Sequence, residues 1–153
     1  MRSIDMVVLG IDPGLSGALV VLDNGVPIEW TRMPTHMVGK SNRVNGAALS
    51  RFINQLNIEW SVIEDVHAMP KQGVTSMFTF GHACGTVMGV LSALQIPVSR
   101  ITPQEWKKRA GLIGKDKDAA RSMALQIWPH WGVLDKKGEG QAMADAALIA
   151  RLS

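Results

Sequence analysis

The run Val7-Val8-Leu9-Gly10-Ile11-Asp12-Pro13-Gly14-Leu15-Ser16-Gly17-Ala18 constrains the fold more than any other segment. An apolar run of this length, bounded by turn residues, reads as a buried strand. It ends in an acid, turns, and begins a second apolar run. A carboxylate at the end of a buried strand is costly to desolvate unless something pairs with it. A metal ion is the partner that makes such a placement useful. The competing reading is a surface turn, because Asp-Pro-Gly is ordinary turn chemistry.

The next segments extend this start into a sheet. Strand-like runs cover about residues 4–11, 17–22 and 26–32, and Asn24-Gly25 between the last two is a strong hairpin signal. The chain therefore opens as an antiparallel meander. A loop containing Pro34, Gly39, Lys40, Ser41 and Asn42 follows. Leu49, Phe52, Ile53 and Leu56 then form one stripe of a helix over 46–57, with Asn45 as its N-cap. Residues 60–64 read as a short buried strand. A polar loop over 69–73 leads to a long helix over 76–94, which carries Gly81, Gly85 and Gly89 at intervals of four. A strand at 97–101 precedes a short helix opened by Thr102-Pro103. Helices over 116–127 and 140–152 complete the chain. The strand–helix–strand–helix–strand portion favours parallel pairing with right-handed crossovers. The expected class is α/β, a mixed five-stranded sheet flanked by helices on both faces.

Composition narrows the classes open to the chain. Its 153 residues suit one domain, 1–153, with a real core. Hydrophobic content of 46% and charged content of 19% fit a globular chain and not a disordered one. No apolar run approaches the roughly 20 residues of a spanning helix, so no membrane partner is expected. Met1-Arg2-Ser3-Ile4-Asp5 lacks the long apolar region of a signal peptide, which makes the cytoplasm the expected location. Cys84 is the sole cysteine, so an intramolecular disulfide and a cysteine-rich zinc site are both excluded. Cys84 itself reads as a packing residue among Gly81, Ala83 and Gly85. The net charge of +3 permits a nucleic-acid partner without demanding one. Basic residues fall in separate polar stretches: Lys107-Lys108-Arg109, Lys115 with Lys117, Lys136-Lys137, and the loop of Arg32, Lys40 and Arg43. Singly, each reads as a solvated face.

Three acids occupy positions where the apolar pattern calls for hydrophobic residues. Asp12 ends the first strand, Glu64 follows Val62-Ile63, and Asp145 shares a helix face with Ala142, Leu148 and Ile149. Adjacent strand ends and an overlying helix can bring such residues together. Converging buried carboxylates repel and need positive charge. Their oxygen-only donors suit Mg²⁺ or Mn²⁺. Two such ions about 4 Å apart clamp the attacking and leaving oxygens in phosphodiester hydrolysis. His36, His67, His82 and His130 show no zinc-protease spacing.

Ile11-Asp12-Pro13-Gly14, Val62-Ile63-Glu64-Asp65-Val66 and Ala144-Asp145-Ala146-Ala147-Leu148-Ile149-Ala150, in this order, resemble RuvC-type Holliday-junction resolvases. The segment His67–Phe78 is most similar to the phage and prophage branch. The resemblance implies a single RuvC-like nuclease domain with a ribonuclease-H-like fold, acting as a homodimer. It implies cleavage of symmetric strands of a four-way DNA junction with two Mg²⁺ ions per site, Mn²⁺ substituting. A phage-encoded member would work in the cytoplasm of a bacterial host. Asp12, Glu64 and Asp145 match the family's catalytic, metal-binding acids.

One departure stands out. The family commonly carries an acid or histidine three residues before the position of Asp145, and here that residue is Ala142. Gln141 and Glu139 are the candidates for the additional ligand, Glu139 only if the helix starts at Gly140. His67 aligns with a position where cellular members wedge an aromatic into the junction, and otherwise reads as a loop histidine. Lys71, Gln72 and Ser76 at the start of the long helix read as a phosphate seat or as plain capping. Lys115 and Lys117 are expected along the DNA path. Met77, Phe80, Cys84, Met88 and Leu91 form the stripe expected at the dimer interface, or packed on the chain's own sheet. Two further readings stay open: a branched-DNA-binding protein of this fold without cleavage, motivated by Ala142, and a phosphate-binding ATPase or sugar-kinase-like domain, for which the chain is short.

Overall fold

The computed structural model of the protein describes residues 6–152. The expected strand start at residues 4–5 and the reading of Met1–Asp5 lie outside the described residues. Strands β1 (Val7–Asp12), β2 (Ala18–Asp23) and β3 (Val26–Arg32) form the expected meander. Asn24 and Gly25 both take positive φ, 50° and 76°, as the tight turn between β2 and β3 requires. The loop expected after β3 is instead a second hairpin, β4 (Thr35–Val38) and β5 (Ser41–Val44). Its polar residues hid the strands, because neither face is buried enough to alternate: all four residues of β4 are exposed.

The chain continues with α1 (Gly46–Asn54), β6 (Trp60–Glu64), α2 (Val74–Ala93), β7 (Val98–Ile101), α3 (Pro103–Ala110), α4 (Ala119–Ile127), a 3₁₀ turn at Gly132–Asp135 and α5 (Lys137–Leu152). The caps follow the sequence signals. Asn45 Oδ1 accepts from Ala48 N–H at 3.0 Å, and Thr102 Oγ1 accepts from Glu105 N–H at 3.2 Å. α4 begins three residues later than 116 because Asp116 makes a turn of its own, its Oδ1 accepting from Asp118 N–H at 3.0 Å.

The main sheet has the order β3-β2-β1-β6-β7. β1 pairs antiparallel with β2 and parallel with β6, and β6 pairs parallel with β7. Alternation along each strand sends side chains to two cores. Leu9, Ile11, Leu19, Val21 and Ile63 meet Leu49 and Ile53 of α1 and Ala83, Val87 and Leu91 of α2. Ala18, Val20, Leu22 and Val62 meet Trp106 of α3 and the buried stripe of α5 on the opposite face.

α2 differs from the composition-based expectation. It is a 20-residue helix long and apolar enough, by length and composition alone, to cross a membrane. Interspersed Thr, Ser and Gly conceal this in the sequence. In the fold its Ala83, Val87 and Leu91 pack on the sheet, while Val74, Met77 and Phe78 are exposed.

Candidate metal centre

The period-2 rule decides where the acids point. Leu9 and Ile11 face α1 and α2, so Gly10 and Asp12 face α5. Ile63 faces α1 and α2 while Val62 faces α5, so Glu64 turns to the same side as Asp12. The β1–β6 register pairs Ile11 with Ile63, which leaves Asp12 and Glu64 at neighbouring strand ends. α5 lies directly on β1 because Gly10 has no side chain: a Cβ there would meet Ala146 O at 2.0 Å. That close approach carries Asp145, one residue before Ala146, over the same sheet end.

The turn after Asp12 is equally tight. Gly14 takes φ 114°, Gly17 N–H donates to Gly14 O at 3.2 Å, and a Cβ on Gly17 would meet Asp12 O at 1.9 Å. Both glycines are required to double the backbone back so closely beneath the carboxylate.

The acids affect one another. Burial, then the Glu64 and Asp145 charges, pushes the Asp12 carboxyl up to about 8, against the pull of Lys107. Burial and Glu64 push Asp145 up to about 7, again opposed by Lys107. Burial raises Glu64, while a hydrogen bond from Trp106 and the Lys107 charge hold it down. Trp106 Nε1 donates to Glu64 Oε2 at 2.6 Å, and Lys107 Nζ sits 5.6 Å from the Trp106 ring centroid. The positive charge that the sequence placed nowhere near the acids thus arrives from α3.

This donor set is chemically suited to hard divalent cations: carboxylate oxygens whose repulsion a cation relieves. Among the described residues no three His, Cys, Asp or Glu side chains close into one metal-binding cluster. The acids are electrostatic neighbours and not a finished cage. Asp12, Glu64 and Asp145 are the residues that would hold cations here.

The remaining candidates divide. Ser76 lines the same cleft as Asp12. Lys115, Lys117 and Gln141 line a second cleft with Asp145, Trp106 and Lys107. Glu139 lines neither cleft. α5 starts at Lys137, so the helix is continuous through Glu139, and six residues before Asp145 is a different face. The condition under which Glu139 could reach the site, a helix starting at Gly140, is therefore not met. His67, Lys71 and Gln72 lie in the exposed loop between β6 and α2. His67 Nε2 is 3.6 Å from Asp65 Oδ2, and Gln72 Oε1 accepts from Met69 N–H at 3.2 Å. Lys71 takes φ 67°, uncommon for a side chain with a Cβ. Sequence reasoning missed Trp106 and Lys107. Their signal was the adjacent Trp-Lys pair in the helix opened by Thr102-Pro103, which by itself looks like one core residue and one solvated charge.

No protein-family model and no curated protein matches the chain by sequence. Solved structures do match in shape. Thermus thermophilus RuvC superposes with a TM-score of 0.61 over 95% of this chain and 91% of that one, at 20% identity. The RuvC of the same organism in complex with a Holliday junction substrate gives 0.60 over 95% and 90%, at 18% identity. The chain has the ribonuclease-H-like fold of RuvC. Within this RuvC-like fold, the expected five-stranded mixed sheet with helices on both faces is present. The hairpin β4–β5 and the α3 pair Trp106-Lys107 are the features that sequence reading alone did not supply.

Proposed function

We propose that the protein is a divalent-metal-dependent endonuclease that cleaves branched DNA, resolving four-way junctions by paired symmetric nicks. The observation that carries this reading is the convergence of Asp12, Glu64 and Asp145 on one face of the sheet, where burial first and neighbouring acid charge second push Asp12 to about 8 and Asp145 to about 7. The fold shared with a RuvC that was solved with a Holliday junction substrate supports the choice of DNA.

Asp12, Glu64 and Asp145 would hold Mg²⁺ or Mn²⁺, which when bound would supply charge neutralisation at the phosphate and a more acidic water. The rest is done by this chain. Asp12, Glu64 and Asp145 present the oxygens. Trp106 fixes one oxygen of Glu64 by its indole N–H. Lys107, Lys115 and Lys117 line the approach with positive charge and attract phosphate without reading sequence.

Two symmetric cuts call for two symmetric sites, so the acting unit is a homodimer. α2 supports this through its outward face. Gly81, Gly85 and Gly89 leave open space around an added Cβ, and Phe78 and Met77 are exposed beside them. The His67–Phe78 segment supports placing the protein in the phage and prophage branch.

Ala142 supports a second reading, a protein that binds junctions without cutting them. It offers no oxygen where a fourth ligand would stand, leaving Gln141 as its nearest substitute at the cleft. A labelled four-way junction and a linear duplex, each incubated in Mg²⁺ and in Mn²⁺, separate the two. Paired nicks on the junction alone support the resolvase; tight binding without nicks in either metal supports the second reading.

A further inference from the structure

The function proposed above leaves the β4–β5 hairpin without a role. The hairpin springs from the catalytic end of the sheet. Asp12 pairs with Ala18, and Ala18 pairs with Arg32, the last residue of β3. Met33 N–H donates to Gly17 O at 2.9 Å, and Asn45 N–H donates to Pro34 O at 2.8 Å, so both feet of the hairpin are anchored beside the Asp12 turn. Between them the ribbon projects. Only Val44 at its base is buried; His36, Met37, Val38 and Lys40 are exposed. Its turn is built for a tight reversal, with Gly39 at φ 62° in the first turn position.

A two-stranded ribbon with so little buried surface adds almost nothing to the core. Its charge is one-sided. No acid occurs between Glu29 and Glu59, whereas Arg32, Lys40, Arg43 and Arg51 all fall there. Among the described residues Arg32, Lys40 and Arg43 form no ion pair with an acid. His36 and Arg43 are cross-strand partners, and the Arg43 guanidinium stands 5.7 Å from the ring centroid of Phe78 in α2. That contact holds the basic ribbon against the helix whose Thr75, Ser76 and Thr79 line the Asp12 cleft. An unpaired basic surface beside a nuclease-type site is complementary to one polymer in particular, the DNA phosphate backbone. The width of a two-stranded ribbon also suits the DNA major groove, roughly 12 Å across.

We propose that the β4–β5 hairpin is a DNA-gripping arm, with Lys40, Arg43 and Arg32 on the phosphates of the duplex arm next to the strand being cut. This rests on the reading of the protein as a branched-DNA endonuclease. The test compares the full-length parent with Lys40→Ala and with Lys40→Ala/Arg43→Gln, measuring affinity for a synthetic four-way junction across a salt series. Each lost phosphate contact makes the log affinity against log salt slope shallower by about 0.9. The single variant is expected to lose about one such increment and the double about two, with at least a tenfold weaker junction affinity for the double. Lys40→Arg is expected to bind as the parent does. Lys40 is exposed, so the single variant reports on DNA and not on folding. Parental slope and affinity in both variants would overturn the arm while leaving the nuclease reading intact. Failure of the parent itself to bind any DNA would overturn both.

Discussion

Trp106 Nε1 donates a 2.6 Å hydrogen bond to Glu64 Oε2, joining α3 to the end of β6 across 42 residues of sequence. The indole is 1% exposed, and an N–H buried among apolar side chains needs a partner. Here the partner is an acid whose own burial raises its pKa, so each group answers the other's need. Trp106→Phe keeps the ring and deletes the donor. The expected result is a loss of about 1–2 kcal/mol in stability. Junction cleavage at limiting Mg²⁺ should fall about tenfold as Glu64 loses its fixed orientation. Thermal melting and single-turnover cleavage check the two parts, and unchanged cleavage would show that Glu64 is positioned by something else.

Lys107 lowers the pKa of all three acids. Lys107→Gln removes that charge, so Asp12 and Asp145 should ionise only at still higher pH. If ionised acids hold the cations, the acid limb of the pH–rate profile moves to higher pH in the variant. The rate at neutral pH drops several-fold, and Lys107→Arg restores most of it. A profile that keeps its position while the overall rate falls would assign Lys107 to DNA contact alone.

The sheet and the two strand acids were legible in the sequence because period-2 alternation and Asn24-Gly25 are strong local signals. Asp145 was legible because an acid on an apolar helical stripe breaks its own pattern. Other features were not. The β4–β5 hairpin carries no buried face, so its residues show no alternation to read. Trp106 and Lys107 approach Glu64 from α3, which follows β7, the strand paired with β6, and no local pattern encodes which strand end a helix will cover. The start of α5 was misplaced by three residues because Gly138 and Gly140 look like a helix boundary, yet both lie inside the helix. Gly140 is there for packing: an added Cβ would meet Leu134 O at 2.9 Å.

Metal-free protein should lose stability as pH rises. The folded pKa values of about 8 for Asp12 and about 7 for Asp145 lie above the ordinary value of 3.8. Between pH 4 and 8 the folded state therefore binds more protons than the unfolded state, and stability falls with rising pH across that window. Below it both acids are neutral and fold without a charge penalty; above it the penalty is complete. The loss is several kcal/mol, enough to lower the melting temperature of a chain of this size by roughly 10 °C or more. Melting of EDTA-treated protein at pH 5 and pH 8 measures it. Mg²⁺ should restore the stability at pH 8, and Asp12→Asn should flatten the pH dependence without metal. A metal-free protein more stable at pH 8 than at pH 5 would contradict the electrostatics of the site.

Ala142→Asp adds a carboxylate three residues before Asp145, on the same helix face. Ala142 is half-buried against the core, so the added charge should destabilise the metal-free protein by about 1 kcal/mol. With metal the same charge becomes a ligand. The expected outcome is a lower Mg²⁺ concentration for half-maximal cleavage and a several-fold higher rate. A fall in both stability and rate at saturating Mg²⁺ would mean that position 142 serves packing and that Gln141 is the better replacement site.

Gly10→Ala tests whether the acids depend on the contact between β1 and α5. The added Cβ would stand 2.0 Å from Ala146 O and 2.8 Å from Ala150 Cβ, and backbone cannot yield as a flexible side chain does. α5 must move off the sheet, and Asp145 moves with it. The expected cost is about 3 kcal/mol or more in stability, in the range of severe overpacking. Cleavage should fall much further than the folded fraction does, because Asp12 and Asp145 separate even in molecules that stay folded. Circular dichroism gives the folded fraction at a chosen temperature, and cleavage per folded molecule is the deciding number. Parental activity per folded molecule would show that the site tolerates displacement of α5, and that Asp145 is not held where it is by Gly10.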